Sequence, residues 1–214
     1  DGDEKGFIFH AESTDKILIF GSNGRFYTIP CSNLPGGRGM GEPVRLMVDL
    51  PNEVTIVDIF VHSSTSKLLL VSSLGDGFIV KETEVIAQTR SGKQVLNLQE
   101  NSVAAICHHV SGDHVAIVST NGKLLVFSTS ELPEMNGGKG VRLQKYNSSK
   151  GRQGSLALDG GLSDLTTFNW SDGLSWNTDG GKNRNQIDMT QWLSKRAGVG
   201  RKSPHGFPKQ NKFL

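Results

Sequence analysis

The sequence predicts an all-β disc built from four repeated units, and three observations support this. A short apolar strand, a Gly-containing turn, a second strand and a Gly-rich loop recur four times in the same order. Such a fixed period, roughly 20–50 residues, is typical of solenoids, propellers and arrays. Helical periodicity is scarce, with one short candidate over residues 189–196. Glycine is abundant, at 26 residues, as a chain with many tight turns requires.

The four units occupy about residues 5–51, 52–100, 101–161 and 162–208, and residues 209–214 form a tail. Each contains a predicted hairpin, because Asn-Gly or Asp-Gly between apolar runs favours a type I′ turn. The turn glycines are Gly24, Gly77, Gly122 and the pair Gly180–Gly181. The Gly-rich loops that follow are GGRGMGEP, RSGKQ, NGGKGV and RAGVGRKSP.

Apolar, β-branched runs define the strands of each unit. In the first three units the predicted strands are 5–11, 17–20, 25–29 and 44–50; 55–61, 67–71, 77–81 and 94–98; 103–109, 114–118, 123–127 and 141–146. The fourth unit is degenerate and keeps strands at 165–170 and 173–177, after a Gly- and Ser-rich insertion at 147–161. We expect Trp170, Trp176 and Trp192 to fill the core of this unit.

The first residues, DGDEK, have the character of the end of an earlier unit. The sequence therefore predicts at least one further blade upstream in the native ring. In that case this chain is an open arc that leaves a sheet edge unpaired or borrows a strand from a neighbour.

The charge distribution and the reactive residues favour a binding module over an enzyme. Residues 1–144 carry 12 Lys and Arg against 16 Asp and Glu, or −4, whereas residues 145–214 carry 11 against 5, or +6. The basic last third indicates a polyanion partner or an ordinary solvated surface. The six histidines lack a metal-ligand spacing, and P-loop and Gly-x-Ser-x-Gly patterns are absent.

Two further features concern the compartment. Cys31 and Cys107 are far apart in sequence, which favours reduced thiols and leaves a disulfide as the alternative. The chain has neither a signal-peptide pattern nor an apolar run long enough to span a membrane. We therefore expect a cytoplasmic protein with neither a catalytic site nor a metal site.

Basic residues recur at equivalent places of the units, as contacts to a phosphate backbone would require. They follow the hairpin glycines, lie in the Gly-rich loops, or begin the next strand. Repeated cations of this kind contact phosphates without reading bases. The alternative for each is a solvated turn residue. The candidate DNA-binding residues are Arg25, Arg38, Arg45, Lys93, Lys123, Lys139 and Arg142.

The runs DKILIFGSNGRFYTI, LPGGRGMGEPVRLMVDL and VAIVSTNGKLLVFSTSELPEMNGGKGVRLQKY resemble the C-terminal domain of the A subunit of bacterial type II topoisomerases. The resemblance implies a β-pinwheel of four-stranded antiparallel blades that exchange strands, with duplex DNA bent around a basic rim. It also implies partners outside this chain: the N-terminal domain of the same polypeptide, which carries the catalytic tyrosine, and the B subunit. ATP and Mg²⁺ would be used by those other domains, and no cofactor is expected here.

Two paralogues share this domain, gyrase and topoisomerase IV. The Gln-Arg-Arg-Gly-Gly-Lys-Gly box of gyrase is absent, and the nearest pieces are residues 36–39 and 137–140. The tail GFPKQNKF and the run LPGGRGMGEPVRLM resemble the alphaproteobacterial topoisomerase IV type. The predicted function is therefore a non-catalytic, DNA-binding and DNA-bending domain that orients the transported segment for decatenation and relaxation. The alternatives are a gyrase-type wrapping domain, whose box could lie upstream, and a propeller-like protein-interaction scaffold.

Overall fold

The computed structural model describes residues 6–37, 39, 41–150 and 156–213, with the backbone alone for 147–150 and 156–159. The chain is almost entirely β, which confirms the predicted class. The strands are β1 Lys16–Gly21, β2 Arg25–Pro30, β3 Ile56–Val61, β4 Lys67–Ser72, β5 Asp76–Lys81, β6 Lys93–Gln94, β7 Ala104–His109, β8 His114–Ser119, β9 Lys123–Ser128, β10 Val141–Arg142, β11 Asn147–Lys150, β12 Leu156–Asp159, β13 Leu162–Phe168, β14 Leu174–Asn177, β15 Asn183–Gln186 and β16 Arg201–Lys202. The helices are α1 Val44–Met47 and 3-10 turns at Cys31–Asn33, Glu82–Val85 and Thr129–Glu131. Among the described residues, no helix is long and apolar enough to cross a bilayer.

Three four-stranded antiparallel sheets form the blades of a β-pinwheel. The first blade has the order β3-β1-β2-β6, the second β7-β4-β5-β10, and the third β13-β8-β9-β16. In each blade a hairpin from one unit is flanked by two strands that come later in the chain, so neighbouring units exchange strands. The hairpins β11–β12 and β14–β15 form two smaller sheets.

The inner and outer edges of the blades differ in their neighbours. Strand β7 contacts both β3 and β13, so these three strands lie side by side at the inner edge of the arc. Strands β6, β10 and β16 lie at the opposite, outer edge, and most of their residues are exposed. The outer strands have only two residues each, because the chain then turns inward: Val95 and Leu143 are fully buried.

Apolar layers alternate with the sheets, so both faces of each hairpin are buried. One layer lies between the first and second blades, the next between the second and third, and another between the third blade and β14–β15. A further layer covers the other face of the first blade and includes Val48 and Leu50. Burial on both faces explains why these strands are continuous apolar runs instead of alternating patterns.

The degenerate fourth unit is held by its aromatic residues, as predicted. Trp176 and Trp192 are buried in the last apolar layer, and Trp170 packs against it. The indole of Trp192 also donates to the Lys202 carbonyl at 2.9 Å. The short helical candidate at 189–196 forms only a turn, in which Leu193 N–H donates to Met189 O at 3.1 Å, and Ser194 N–H then pairs with Val126 O of β9 at 2.9 Å.

The hairpin turns are not of the predicted type I′. Gly24 has φ 76°, and its N–H donates to Gly21 O at 2.9 Å, while the two residues between them have negative φ. This is a type I turn closed by a left-handed glycine. Gly75, not Gly77, is therefore the turn glycine of the second unit, since Gly77 lies inside β5. The same arrangement ends the turns at Gly75, Gly122 and Gly181.

Two predicted strands of the first unit do not form. Residues 6–11 lie outside every sheet, and Val44–Met47 is a single helical turn. Their counterparts β3 and β6 in the second unit flank the hairpin β1–β2. Strands β3 and β6 occupy both edges of that hairpin, so neither of the earlier segments pairs with it. The upstream blade stays a prediction.

The Gly-rich loops allow the outer strands to approach the hairpins closely. Gly140, with φ 80°, precedes β10, and a Cβ there would lie 2.2 Å from Gly77 O. A Cβ at Gly92 or at Gly200 would likewise lie only 2.7 Å from a carbonyl oxygen of the neighbouring strand. In the first loop, by contrast, Gly37 has no atom within 4 Å of the position of a Cβ.

We expect Gly140→Ala to detach the outer strand of the second blade and lower the free energy of unfolding. The left-handed backbone alone should cost roughly 1–3 kcal/mol, and the contact with Gly77 O adds to it. Gly37→Ala is the matched control and should change stability by less than about 0.5 kcal/mol. Urea unfolding measures both. Equal effects of the two changes would contradict this account of the loops.

Candidate nucleic-acid interface

The strand register creates one equivalent charged position in each blade. The first residue after each turn glycine lies directly opposite a residue of the outer strand. Residues opposite each other in an antiparallel pair project to the same face, with their Cβ atoms roughly 5 Å apart. The three pairs are Arg25–Gln94 in the first blade, Asp76–Arg142 in the second and Lys123–Lys202 in the third.

The third blade combines cations with no carboxylate among the described residues. Lys123 lies opposite Lys202, and Arg201 precedes Lys202 on the same exposed strand. Like charges directly opposite each other destabilise a sheet unless an anion lies between them. Lys123, Arg201 and Lys202 form no ion pair in the described part of the chain. We call these three residues the third-blade cluster.

The first blade holds its cations with neutral acceptors. The Arg25 guanidinium donates to Ser91 O and Gly92 O, both at 3.1 Å, and to the Gln94 side chain at 3.3 Å. Lys93 Nζ donates to Glu84 O at 2.5 Å. These contacts orient the two side chains, and neither cation has an ion-pair partner in the part of the chain that the structure describes.

The second blade sets one buried carboxylate against its two cations. Arg142 Nε lies 2.6 Å from Asp76 Oδ1, and its NH2 group lies 3.3 Å from Oδ2. Lys139 Nζ is 4.0 Å from the same carboxylate. Asp76 is only 3% exposed, so solvent screens the pair less than it would a surface contact.

The Gly-rich loops link these edges into a continuous band. Gly138 N–H donates to Val95 O at 2.9 Å, and Asn97 N–H donates to Gly138 O at 2.8 Å. The next loop repeats the pattern, since Lys145 N–H donates to Gly198 O at 3.0 Å. Successive outer strands are therefore held at a fixed spacing.

The structure places five of the seven candidate residues at the outer edge: Arg25, Lys93, Lys123, Lys139 and Arg142. Arg38 lies outside the described residues. Arg45 is not the counterpart of Arg142, because its segment is α1 and not a strand. Its guanidinium donates to the carbonyls of Leu50, Pro51 and Val54, so it fixes the chain segment that covers the other face of the first blade.

Three residues of this edge are not among the seven candidates: Asp76, Arg201 and Lys202. The last two lie in the basic stretch 195–212, which the sequence offers only as a whole as an alternative place for DNA contacts. Arg201 and Lys202 follow Gly200 as Val141 and Arg142 follow Gly140, and this spacing could have identified them. The degeneracy of the fourth unit concealed the match. Asp76 is not recognised from the sequence because Gly77 resembles the turn glycine. The residue after the turn glycine is then assigned two positions too late in the chain.

A second cluster of ionisable residues lies at the inner edge. The Glu82 carboxylate is fully buried, accepts from Ser63 N–H at 2.6 Å, and lies 3.3 Å from His62 Nδ1. His109 Nε2 is 3.4 Å from Glu82 Oε2, close enough for an ion pair but without the alignment of a hydrogen bond. Contact with this carboxylate raises the pKa of His109 against the opposing effect of burial, and Asp58 adds to the rise.

The described residues contain no group of three or more His, Cys, Asp or Glu side chains arranged to hold a metal ion. Cys31 and Cys107 are both free thiols. Burial raises the pKa of the Cys107 thiol well above its usual range, and the side chain packs against the apolar layer between the first and second blades.

Exchanged strands, both-face burial and a repeated outer edge together define a β-pinwheel domain of the propeller class. The chain belongs to the family described as DNA gyrase C-terminal domain, beta-propeller. The family model matches residues 15–63, 66–104 and 113–151, together more than half of the chain.

The chain is similar over its whole length to the A subunit of DNA topoisomerase 4 from two alphaproteobacteria. It is 43% identical to the protein of Caulobacter vibrioides and 44% identical to that of Rickettsia bellii. It spans about a quarter of each relative, 26% and 27%. Among solved structures, the C-terminal domain of E. coli ParC matches with a TM-score of 0.76 at 26% identity, over 93% of this chain and 80% of that one. A DNA gyrase A C-terminal domain shares the fold, with a TM-score of 0.63 at 16% identity, over 89% of this chain and 60% of that one.

We expect the contact between His109 and Glu82 to make stability depend on pH near neutrality. Because the folded pKa of His109 is raised, its contribution is complete below the unfolded value of about 6.5 and is lost as pH rises through the folded pKa. The difference in unfolding free energy between the native chain and His109→Gln should therefore shrink as pH rises from about 6 to 8.5.

Urea unfolding across this pH range measures that difference. His205→Gln, at an exposed histidine without a carboxylate partner among the described residues, is the control and should show no such trend. A pH-independent difference for His109→Gln would contradict the assignment.

Proposed function

We propose that this chain is the non-catalytic, DNA-binding part of the A subunit of a topoisomerase IV. The third-blade cluster is the observation that supports it most directly. Lys123, Arg201 and Lys202 lie together at the outer edge of the third blade. Two lysines that lie directly opposite each other destabilise the sheet unless an anion lies between them. A phosphate backbone supplies that anion. The similarity to the A subunit of DNA topoisomerase 4 over the whole chain supports the same function.

The proposed contact is to the DNA backbone and not to base edges. Major-groove reading needs a helix or a β-ribbon that enters the groove. The one α-helix of the described residues has four residues, and the outer strands have two each. Binding should therefore be sequence-neutral, and phosphate contacts would offset the energy of bending the duplex around the rim.

Within the whole enzyme, we propose that this domain orients the transported duplex for decatenation and relaxation. Strand cleavage by the catalytic tyrosine, use of ATP and Mg²⁺, and contact with the B subunit would belong to other domains and to the cytoplasmic holoenzyme. The topoisomerase IV assignment is favoured over gyrase-type wrapping by identities of 43% and 44% to alphaproteobacterial relatives.

We expect duplex binding to weaken steeply with salt and to depend on the third-blade cluster. Each phosphate neutralised contributes about 0.9 to the slope of log K against log salt, so Lys123→Ala with Lys202→Ala should reduce the slope by roughly 1.8 for every duplex sequence. Fluorescence anisotropy with two unrelated duplexes measures this.

The control is Lys16→Ala with Lys67→Ala, since both lysines lie at the opposite ends of their hairpins. This pair should leave the slope unchanged. A flat salt response of the native chain would favour the protein-interaction scaffold. Equal losses in the two double variants would place the DNA elsewhere.

A further inference from the structure

We propose that Asp76 occupies, in the second blade, the place that a DNA phosphate occupies in the third, and so withdraws Arg142 and Lys139 from DNA. The proposal rests on the DNA-binding function proposed above and concerns how contacts are distributed along the rim. The outer edge of the second blade then has one net positive charge, because Asp76 offsets one of its two cations, whereas the first blade has two such charges and the third has three. Asp76 then determines which blades bind the phosphates of the duplex.

The strand register shows that Asp76 replaces a cation. Asp76 holds the same position after its turn glycine as Arg25 and Lys123 do in the neighbouring blades. An acid therefore stands where the other blades have a cation. Its partner Arg142 is the counterpart of Lys202, which has no anion near it among the described residues.

The carboxylate of Asp76 is saturated by the groups around it. Arg142 binds both of its oxygens, at 2.6 and 3.3 Å, and Gln99 Nε2 donates to Oδ2 at 2.8 Å. Lys139 Nζ completes the set at 4.0 Å. A guanidinium that grips a carboxylate in this two-point manner uses the same donors that would grip a phosphate.

Competition from DNA is unfavourable at this position because of burial. The Asp76 side chain is 4% exposed, whereas that of Arg142 is 42% exposed. A phosphate that captured Arg142 would leave a buried carboxylate without its principal counter-ion, and such a loss is strongly destabilising. Arg142 therefore stays with Asp76 and releases no counter-ion from DNA.

The neighbouring blades lack this restraint. Arg25 and Lys93 are held by carbonyls and an amide, which are neutral and leave the cations able to attract phosphates. The third-blade cluster has no ion pair within the described chain. DNA contact should thus be strong at the third blade, moderate at the first and weak at the second.

The decisive variant is Asp76→Asn, which preserves side-chain volume and removes the competing charge. We expect the salt slope of duplex binding to become steeper by about 0.9 for each cation released, hence by roughly one to two. For each additional phosphate neutralised, the ratio of variant to native association constants should be about threefold larger at about 50 mM than at 200 mM salt.

Glu134→Gln is the matched control. Glu134 also binds two lysines, Lys67 at 2.6 Å and Lys81 at 3.7 Å, but at the opposite end of the same hairpin. Glu134→Gln changes the net charge by the same amount as Asp76→Asn and should leave the salt slope unchanged. If Glu134→Gln steepens the slope as much as Asp76→Asn, the effect is one of net charge, and the proposal is overturned.

Three further variants locate the effect at Arg142 and Lys139. Asp76→Asn combined with Arg142→Gln should have a slope about 0.9 lower than Asp76→Asn alone, because only Lys139 then stays released; a slope as steep as that of Asp76→Asn would refute the proposal. Arg142→Gln alone should leave the native slope unchanged, and it is measured below its own thermal transition because it leaves the buried Asp76 carboxylate without its principal counter-ion. Lys139→Gln keeps the Arg142–Asp76 pair, should also leave the slope unchanged, and serves as the test if neither of the other variants folds. A fall of about 0.9 for Arg142→Gln would mean that Arg142 already contacts phosphate.

Failure of this proposal is distinguishable from failure of the proposed function. A native chain that binds duplex DNA with a steep salt slope, but responds to Asp76→Asn no more than to Glu134→Gln, retains the function and loses the role of Asp76. A native chain with a flat salt response loses both.

Discussion

The close approach of each outer strand to the hairpin of an earlier unit is the constraint on which the rest of the structure depends. The approach is possible because glycine precedes the strand at Gly92, Gly140 and Gly200, where a Cβ would collide with a carbonyl oxygen. Once the outer strand is in place, the following residues turn inward and enter the apolar layer between blades, as Val95 and Leu143 do. The segment that completes the sheet of one blade therefore also packs between two blades. Each unit depends on its neighbour for a complete sheet.

The same constraint fixes where charges appear. An outer strand of two residues can present only two side chains, and the register sets one of them directly opposite the residue after the turn glycine. The backbone thus provides an identical frame in every blade, and the sequence varies the electrostatics within it. Arginine with glutamine, aspartate with arginine, and lysine with lysine give three different local fields on one architecture.

Ionisable groups at the inner edge contact one another, whereas the cations at the outer edge of the third blade do not contact a carboxylate in the described residues. At the inner edge, the fully buried Glu82 carboxylate accepts from a backbone N–H and lies within 3.4 Å of ring nitrogens of His62 and His109. At the outer edge of the third blade, cations are left without a carboxylate partner among the described residues. Compensated charge stabilises the arc, and uncompensated charge is available to a polyanion.

The sequence by itself determined the β class, the repeat, the hairpins and most of the outer-edge cations, because strand-forming runs and turn glycines are local signals. It also identified the tryptophans that complete the last layer. Tertiary structure decided what local signals cannot carry. Residues 6–11 and 44–47 have strand-like sequences but do not pair, because β3 and β6 occupy both edges of the β1–β2 hairpin. Arg45 therefore donates to backbone carbonyls and does not lie on the rim, and Asp76 meets Arg142 from 66 residues away. Pairing between distant segments determines whether a strand forms and whether a cation is free, and a linear pattern does not contain that information.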